Sequence, residues 1–194
     1  MEAYVRGLER FLAGGGDASG IASVASFFVS RVDTEADKRL EAIGTDEALA
    51  LPGKLAIANA KLAYRNYLEV FQGARWDALA ARGATPQRCL WASTSTKNPA
   101  YRDVLYVESL IGPDTVNTMP RETIDAFQDH GEVARTLDVG LDEAERVFAE
   151  LERVGVDVDD VTRVLEEEGV KKFSDSFDQL LGGVRSKRDE LAPV

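Results

Sequence analysis

Apolar residues recur at three- and four-residue spacing from the start of the chain: Tyr4, Val5, Leu8, Phe11 and Leu12 share one face of a helix that Gly14-Gly15-Gly16 ends. After the loop Asp17-Ala18-Ser19-Gly20 the pattern changes. Residues 21–29, IASVASFFV, place small and apolar side chains at successive positions. Such a run predicts a strand buried on both faces, the mark of a parallel sheet covered by helices. A helix follows, capped by Asp33 or Thr34, with Ala36, Leu40 and Ile43 as its stripe and Gly44 as its stop. Beyond Pro52-Gly53 a longer stripe, Leu55, Ala58, Leu62, Tyr67 and Phe71, runs to Gly73, and Trp76, Leu79 and Ala80 add a turn or two before Gly83. This crossover leads to a second apolar run, Cys89-Leu90-Trp91-Ala92, and its length predicts parallel pairing with the first.

After Pro99, the residues Tyr101, Val104, Leu105 and Leu110 predict a short helix ended by Gly112-Pro113. Val116-Asn117-Thr118 is brief enough to be only the end of a third strand, and Pro120 presets the first turn of a helix over 121–128. Helical stretches over 141–154, 158–168 and 174–184 close the chain, with Gly155 and Gly169 as turns and Phe173, Phe177, Leu180 and Leu181 on one face of the last. The succession is helix then strand, three times, which predicts an α/β fold. Three parallel strands do not close a barrel, which needs eight.

The chemistry sits where the strands end. Residues 21–29 give way to Ser30-Arg31, the second run opens into Ser93-Thr94-Ser95-Thr96-Lys97-Asn98, and Asn117 and Thr118 precede Pro120. In parallel α/β proteins, ligands lie at the carboxyl ends of strands, where the following loops and helix N-termini converge. Arg31 and Lys97, with Ser26 and Ser93 as hydroxyl donors, would suit a dianionic phosphate. The alternative is that Arg31 pairs with Asp33 or Asp37 and Lys97 faces water. Lys54, Lys61 and Lys97 are Schiff-base candidates by residue type only. Lys54 and Lys61 sit on a helix where a surface role is expected, Lys97 lies among hydroxyls, and no acid stands inside an apolar strand run to serve as its partner. His130, the single histidine, reads as a cation at a helix end, and no metal site is expected around it. Gly14-Gly15-Gly16 lacks the preceding strand and following Lys-Ser or Lys-Thr of a phosphate loop.

Composition narrows the classes further. No apolar run approaches the roughly 18–20 residues of a membrane span, and the amphipathic start does not resemble a signal peptide, so a cytoplasmic protein with no membrane partner is expected. Cys89, the one cysteine, reads as core filler. A net charge of -11 argues against nucleic acid as a partner. Residues 141–194 hold 15 Asp and Glu against 8 Lys and Arg, a net -7, which reads as a solvated helical face before it reads as an acidic interaction surface.

Three blocks together carry a more specific signal: Ala25-Ser26-Phe27-Phe28-Val29-Ser30-Arg31-Val32-Asp33, Trp91-Ala92-Ser93-Thr94-Ser95-Thr96-Lys97-Asn98-Pro99 and Asp114-Thr115-Val116-Asn117-Thr118-Met119-Pro120. In this order, and with Asn59-Ala60-Lys61-Leu62-Ala63-Tyr64 and Glu168-Gly169-Val170-Lys171-Lys172-Phe173, the chain resembles bacterial transaldolases of the longer, actinobacterial type over nearly its whole length. The resemblance implies a (β/α)8 TIM-barrel enzyme of the pentose phosphate pathway. Such an enzyme transfers a dihydroxyacetone unit from sedoheptulose 7-phosphate to glyceraldehyde 3-phosphate, releasing fructose 6-phosphate and erythrose 4-phosphate, through a lysine Schiff base and with neither metal nor organic cofactor.

By the family's motifs, Ser26 and Phe28 would line the substrate, Arg31 would grip its phosphate and Ser93 would help it; Lys97 stands where many relatives carry an Arg close to that Ser. The family's Schiff-base lysine and its acid-base Asp and Glu lie on earlier strands and would precede Met1, so no catalytic residue is expected within the chain. The expectation is therefore one partial barrel domain over 1–194. It covers roughly the last three strands, with a carboxyl-terminal helical extension from about 141 to 194. Sugar phosphates are its expected ligands, and a separate amino-terminal half or a second copy its expected protein partner. The competing expectations are a sugar-phosphate-binding remnant without chemistry and an acidic helical assembly module.

Overall fold

The computed structural model describes residues 1–192 and divides into two compact units, Met1–Val156 and Asp157–Val194. In the first unit, α1 (Glu2–Ala13) buries Val5, Leu8 and Leu12 against Trp76 and Leu79 of α5 (Gly73–Ala80). β1 (Val24–Phe28), β2 (Arg88–Ala92) and β3 (Val116–Asn117) form a sheet in the order β1-β2-β3, parallel throughout. The register runs from Val24 opposite Arg88 to Phe28 opposite Ala92, and Leu90 faces Val116. Between β1 and β2 come α2 (Val29–Ile43), α3 (Asp46–Leu49), α4 (Leu55–Val70) and α5. After β2 come α6 (Leu105–Ser109), α7 (Arg121–His130) and α8 (Leu141–Val154).

One face of the sheet is the core. Cys89 and Trp91 are buried with Val29, Ala56, Ala60, Tyr64, Tyr67, Tyr106, Leu110 and Leu137, and Phe27 packs against them with its ring 5.5 Å from that of Trp91. α4 supplies most of this cover, laid over β2 on one side and against α2 and α8 on the others. The opposite face is open. Val24, Ser26 and Phe28 alternate outward, Val24 being 39% and Phe28 40% exposed, so the expectation of burial on both faces is corrected. Small and apolar residues at every position permit a doubly covered strand, but the helices of this unit cover one side.

Three further boundaries differ from expectation. Val29 already belongs to α2, so Ser30 and Arg31 form its first turn rather than the end of a strand, and Asp33 and Thr34 lie inside the helix rather than capping it. Ile21 leaves the strand and packs with the α1 cluster. The stretches expected at 158–168 and 174–184 are one helix, α9 (Val158–Leu191), capped by the Asp157 side chain, which accepts the Asp160 N–H at 3.0 Å. Gly169 is helical, not a turn. A mid-helix glycine costs only about 1 kcal/mol, and flanking ion pairs at i,i+4, Lys172 with Glu168 and Lys171 with Asp175, oppose that cost. Gly155 does turn, ending α8 in the left-handed region at φ 95°. Among the described residues no helix is long and apolar enough to cross a membrane.

Candidate phosphate site

The parallel register carries four of the five expected site residues to one end of the sheet. Phe28 pairs with Ala92, so Ser93 emerges beside the first turn of α2. There the Ser30 N–H donates to the Ser93 carbonyl at 3.0 Å, and the two hydroxyls are 2.8 Å apart. Ser93 adopts φ 56°, a conformation few non-glycine residues hold, and this double link to Ser30 fixes it there. Ser26 and Phe28 share the open face of β1. The Arg31 guanidinium lies over the Phe28 ring, 4.7 Å from its centroid, a cation–π contact that restrains an otherwise mobile side chain. Arg31 makes no ion pair among the described residues: Asp33 and Asp37, its alternative partners, are engaged elsewhere.

Lys97 is placed differently. It lines a cleft of about 190 Å³ with Ser30, Asp33, Asp37, Glu41, Asn98 and Tyr101, and its Nζ donates to Ser95 Oγ at 2.8 Å. Its surroundings are thus rich in carboxylates, whereas the cation at Arg31 has none bound to it. Ser30 is the one residue that touches both places, through its hydroxyl contact with Ser93 and its position in the cleft wall.

The cleft holds a feature that motif reading missed. Asp33 is 1% exposed and accepts the Ala56 N–H at 2.7 Å and the Tyr106 hydroxyl at 2.8 Å. One turn on, Asp37 accepts the Gly53 N–H at 3.0 Å and the Tyr101 hydroxyl at 2.5 Å. α4 has no side-chain cap at its own N-cap residue; Asp33 of α2 serves the Ala56 N–H of its first turn instead, where negative charge is favoured, and Asp37 holds the Gly53 N–H of the loop leading into it. Burial pushes the Asp33 carboxyl up to about 6, against the pull of its two hydrogen bonds and with the charge of Asp37 pushing the same way. Burial likewise raises Asp37, Tyr101 and Tyr106 above their ordinary values. The signal was in the spacing, since Asp33 and Asp37 share the helical face of Ala36 and Leu40.

The remaining polar candidates have local roles. Lys61 Nζ donates to the Val139 carbonyl at 2.7 Å, and burial lowers its ammonium. With Lys54 it lines a shallow groove between α4 and α8. Thr94, fully buried, donates to Asn117 Oδ1 at 2.8 Å and ties the end of β2 to β3. Cys89 is fully buried and its thiol is pushed up to about 12 by that burial, as befits a core side chain. His130 ends α7 with Nε2 2.8 Å from Asp103, and that carboxylate holds its pKa above the usual value.

With this geometry in place, comparison with known proteins gives a consistent result. A family model described as Transaldolase/Fructose-6-phosphate aldolase matches residues 2–184. The chain is 57% identical over 185 residues to a transaldolase of Frankia alni, covering 95% of this chain and 50% of that protein. It is 57% identical over 193 residues to a transaldolase of a Parafrankia species (99% and 52%), and 55% identical over 185 residues to Transaldolase 1 of Streptomyces avermitilis (95% and 49%). It therefore spans about half the length of the curated relatives it matches. A match of this extent makes the chain a member of the transaldolase/fructose-6-phosphate aldolase family.

Proposed function

We propose that this chain is the phosphate-holding, carboxyl-terminal part of a transaldolase (β/α)8 barrel. The parent reaction moves a dihydroxyacetone unit between sedoheptulose 7-phosphate and glyceraldehyde 3-phosphate through a lysine Schiff base. The observation that carries this reading is the open face of the sheet, with Ser26, Phe28, Arg31 and Ser93 gathered at its carboxyl end. In a barrel that face would look inward. Arg31, held over Phe28, presents a planar fork of donors suited to two phosphate oxygens, and the half-buried Ser93 hydroxyl, accepting from the buried Ser30 hydroxyl, offers one adjacent donor. Lys97 contributes less, because its neighbours are carboxylates.

None of the three candidate lysines is set up as the nucleophile: Lys54 and Lys61 lie on the helical layer and Lys97 in the acidic cleft. Alone, the chain should show no turnover. Borohydride reduction with fructose 6-phosphate should add no mass to it, and a stable adduct on Lys54, Lys61 or Lys97 would overturn the assignment. Titration calorimetry with fructose 6-phosphate tests the phosphate role. Arg31→Ala should weaken binding by roughly ten- to a hundredfold, the worth of a charge-assisted hydrogen bond or two, while Lys97→Ala should cost less. A larger loss from Lys97→Ala than from Arg31→Ala would place the phosphate in the acidic cleft instead. Turnover appearing when the amino-terminal half of a relative is added would separate a working half-enzyme from a binding remnant.

A further inference from the structure

We propose that Ser30 is a positioning residue of the phosphate site: its buried hydroxyl donates to Ser93 Oγ and so turns the Ser93 proton outward, toward a phosphate oxygen. The inference rests on the reading of Arg31 and Ser93 as phosphate-holding residues. The two serines differ in their surroundings. Ser30 is 1% exposed, whereas Ser93, the first residue past β2, is only half-buried. Their hydroxyl oxygens are 2.8 Å apart, and among the described residues this is the one partner of the Ser30 hydroxyl. The proton count fixes the direction of that bond. Two hydroxyls carry two protons, and the contact uses one. If Ser93 donated, the Ser30 proton would be left inside the fold without an acceptor, a costly orphan. If Ser30 donates, the remaining proton is that of Ser93, which reaches the open end of the strand. Only the second arrangement leaves nothing buried unpaired, so Ser93 meets a ligand as a donor.

The main chain of Ser30 is engaged as well. Its N–H donates to the Ser93 carbonyl at 3.0 Å, and its own carbonyl accepts the Thr34 hydroxyl at 2.8 Å. The first of these bonds holds the backbone of Ser93 at φ 56°, and the hydroxyl bond then orients its side chain. The division is useful, because removing the Ser30 hydroxyl leaves the main-chain link in place. Arg31 follows on the same helical turn, held over the Phe28 ring. A guanidinium has only donors to give, so with the Ser93 proton turned outward the two residues present donors alone. That chemistry takes an oxygen that bears charge and no proton, as in a phosphate dianion.

Titration calorimetry of the full chain with fructose 6-phosphate at neutral pH tests the role through a double-mutant cycle. Ser93→Ala should weaken binding by roughly ten- to a hundredfold, the worth of a hydrogen bond to a charged group. Ser30→Ala should weaken it by roughly three- to tenfold. In the Ser93→Ala background the same Ser30→Ala change should cost nothing more, since no Ser93 proton remains to be aimed. A purely structural Ser30 would cost the same in both backgrounds. Ser30→Thr, which restores a hydroxyl, should bind within about threefold of wild type. The proposal is overturned by Ser30→Ala binding as tightly as wild type, by equal losses in the two backgrounds, or by Ser30→Thr as weak as Ser30→Ala. Arg31→Ala separates this failure from that of the phosphate reading. A loss at Arg31 beside a silent Ser30→Ala removes the positioning role and leaves the phosphate reading standing. Wild type that binds no fructose 6-phosphate, or Arg31→Ala that binds it as well as wild type, overturns both.

Discussion

Replacing Trp91 with alanine is expected to destabilise the first unit by about 3–5 kcal/mol, the cost of deleting a large aromatic side chain from a packed core. Trp91 is 1% exposed and heads the fully buried side chains by size. It is the point at which β2 meets the helical layer, with Phe27 beside it on β1 and Tyr64, Tyr106 and Leu137 around it. Its carbonyl also accepts the Thr118 N–H at 2.9 Å, so the same residue holds β3 to β2. The indole Nε1 is buried without a hydrogen-bond partner among the described residues, which already costs free energy. Trp91→Phe removes that orphan donor while keeping an aromatic ring, and should therefore cost much less than Trp91→Ala, about 1–2 kcal/mol. Urea unfolding followed by the fluorescence of Trp76, itself 7% exposed, reads both variants within the same unit. A loss below about 1 kcal/mol for the alanine variant would mean that the helix-covered face is not the main core.

The order of elements and the parallel pairing of the strands were legible because they rest on local signals. Gly14, Gly44 and Gly155 stop helices where a stripe ends, and the long crossover before Cys89 leaves parallel pairing as the natural geometry. The candidate site was legible for the same reason: Ser26 and Phe28 lie within an apolar run, Arg31 and Ser93 just beyond one, and strand register brings such residues together. What escaped was decided by tertiary packing. The residues of β1 suit burial on both sides equally well, so only the placement of α4 shows which face is covered. Gly169 satisfies the rule for a turn, but an extended row of i,i+4 ion pairs carries the helix through it. Asp33 has the chemistry of an N-cap, and it does cap a helix, but the helix is α4, 23 residues away along the chain. No local pattern states which distant N–H a buried carboxylate will meet.

That distant contact gives Asp33 a measurable signature. Its carboxyl titrates near 3.8 in the unfolded chain and is raised to about 6 in the folded one, burial being the largest cause. The folded state therefore holds a proton that the unfolded state has released, over the interval between those values. The contribution to stability is fully present below pH 3.8 and is lost as pH rises through 6. The gap between the two values corresponds to about 3 kcal/mol. Other groups pull the opposite way: Asp17, Asp103 and Asp138 are held below their ordinary values by hydrogen bonds, and the stability they supply falls as they protonate. The comparison that isolates Asp33 is with Asp33→Asn, which keeps the shape and one acceptor but does not titrate.

The groups facing Asp33 are Asp37 from α2, the Ala56 N–H from α4, and the Tyr101 and Tyr106 hydroxyls with Lys97 across the cleft. All of these survive the substitution. Between pH 7 and pH 4, urea unfolding should show wild type gaining about 2.4 kcal/mol over Asp33→Asn, most of it between pH 6 and 4. Asp37 moderates the difference, because removing the Asp33 charge lowers the pKa of Asp37 in the variant. A stability difference that stays flat across this range would show that the Asp33 carboxylate remains charged inside the fold. Asp33 would then act as a fixed anionic cap on α4. A difference of the expected size and sign would instead show that the cost of burying the Asp33 charge exceeds what the Ala56 and Tyr106 hydrogen bonds return to it, so that the fold is more stable with this carboxyl neutral.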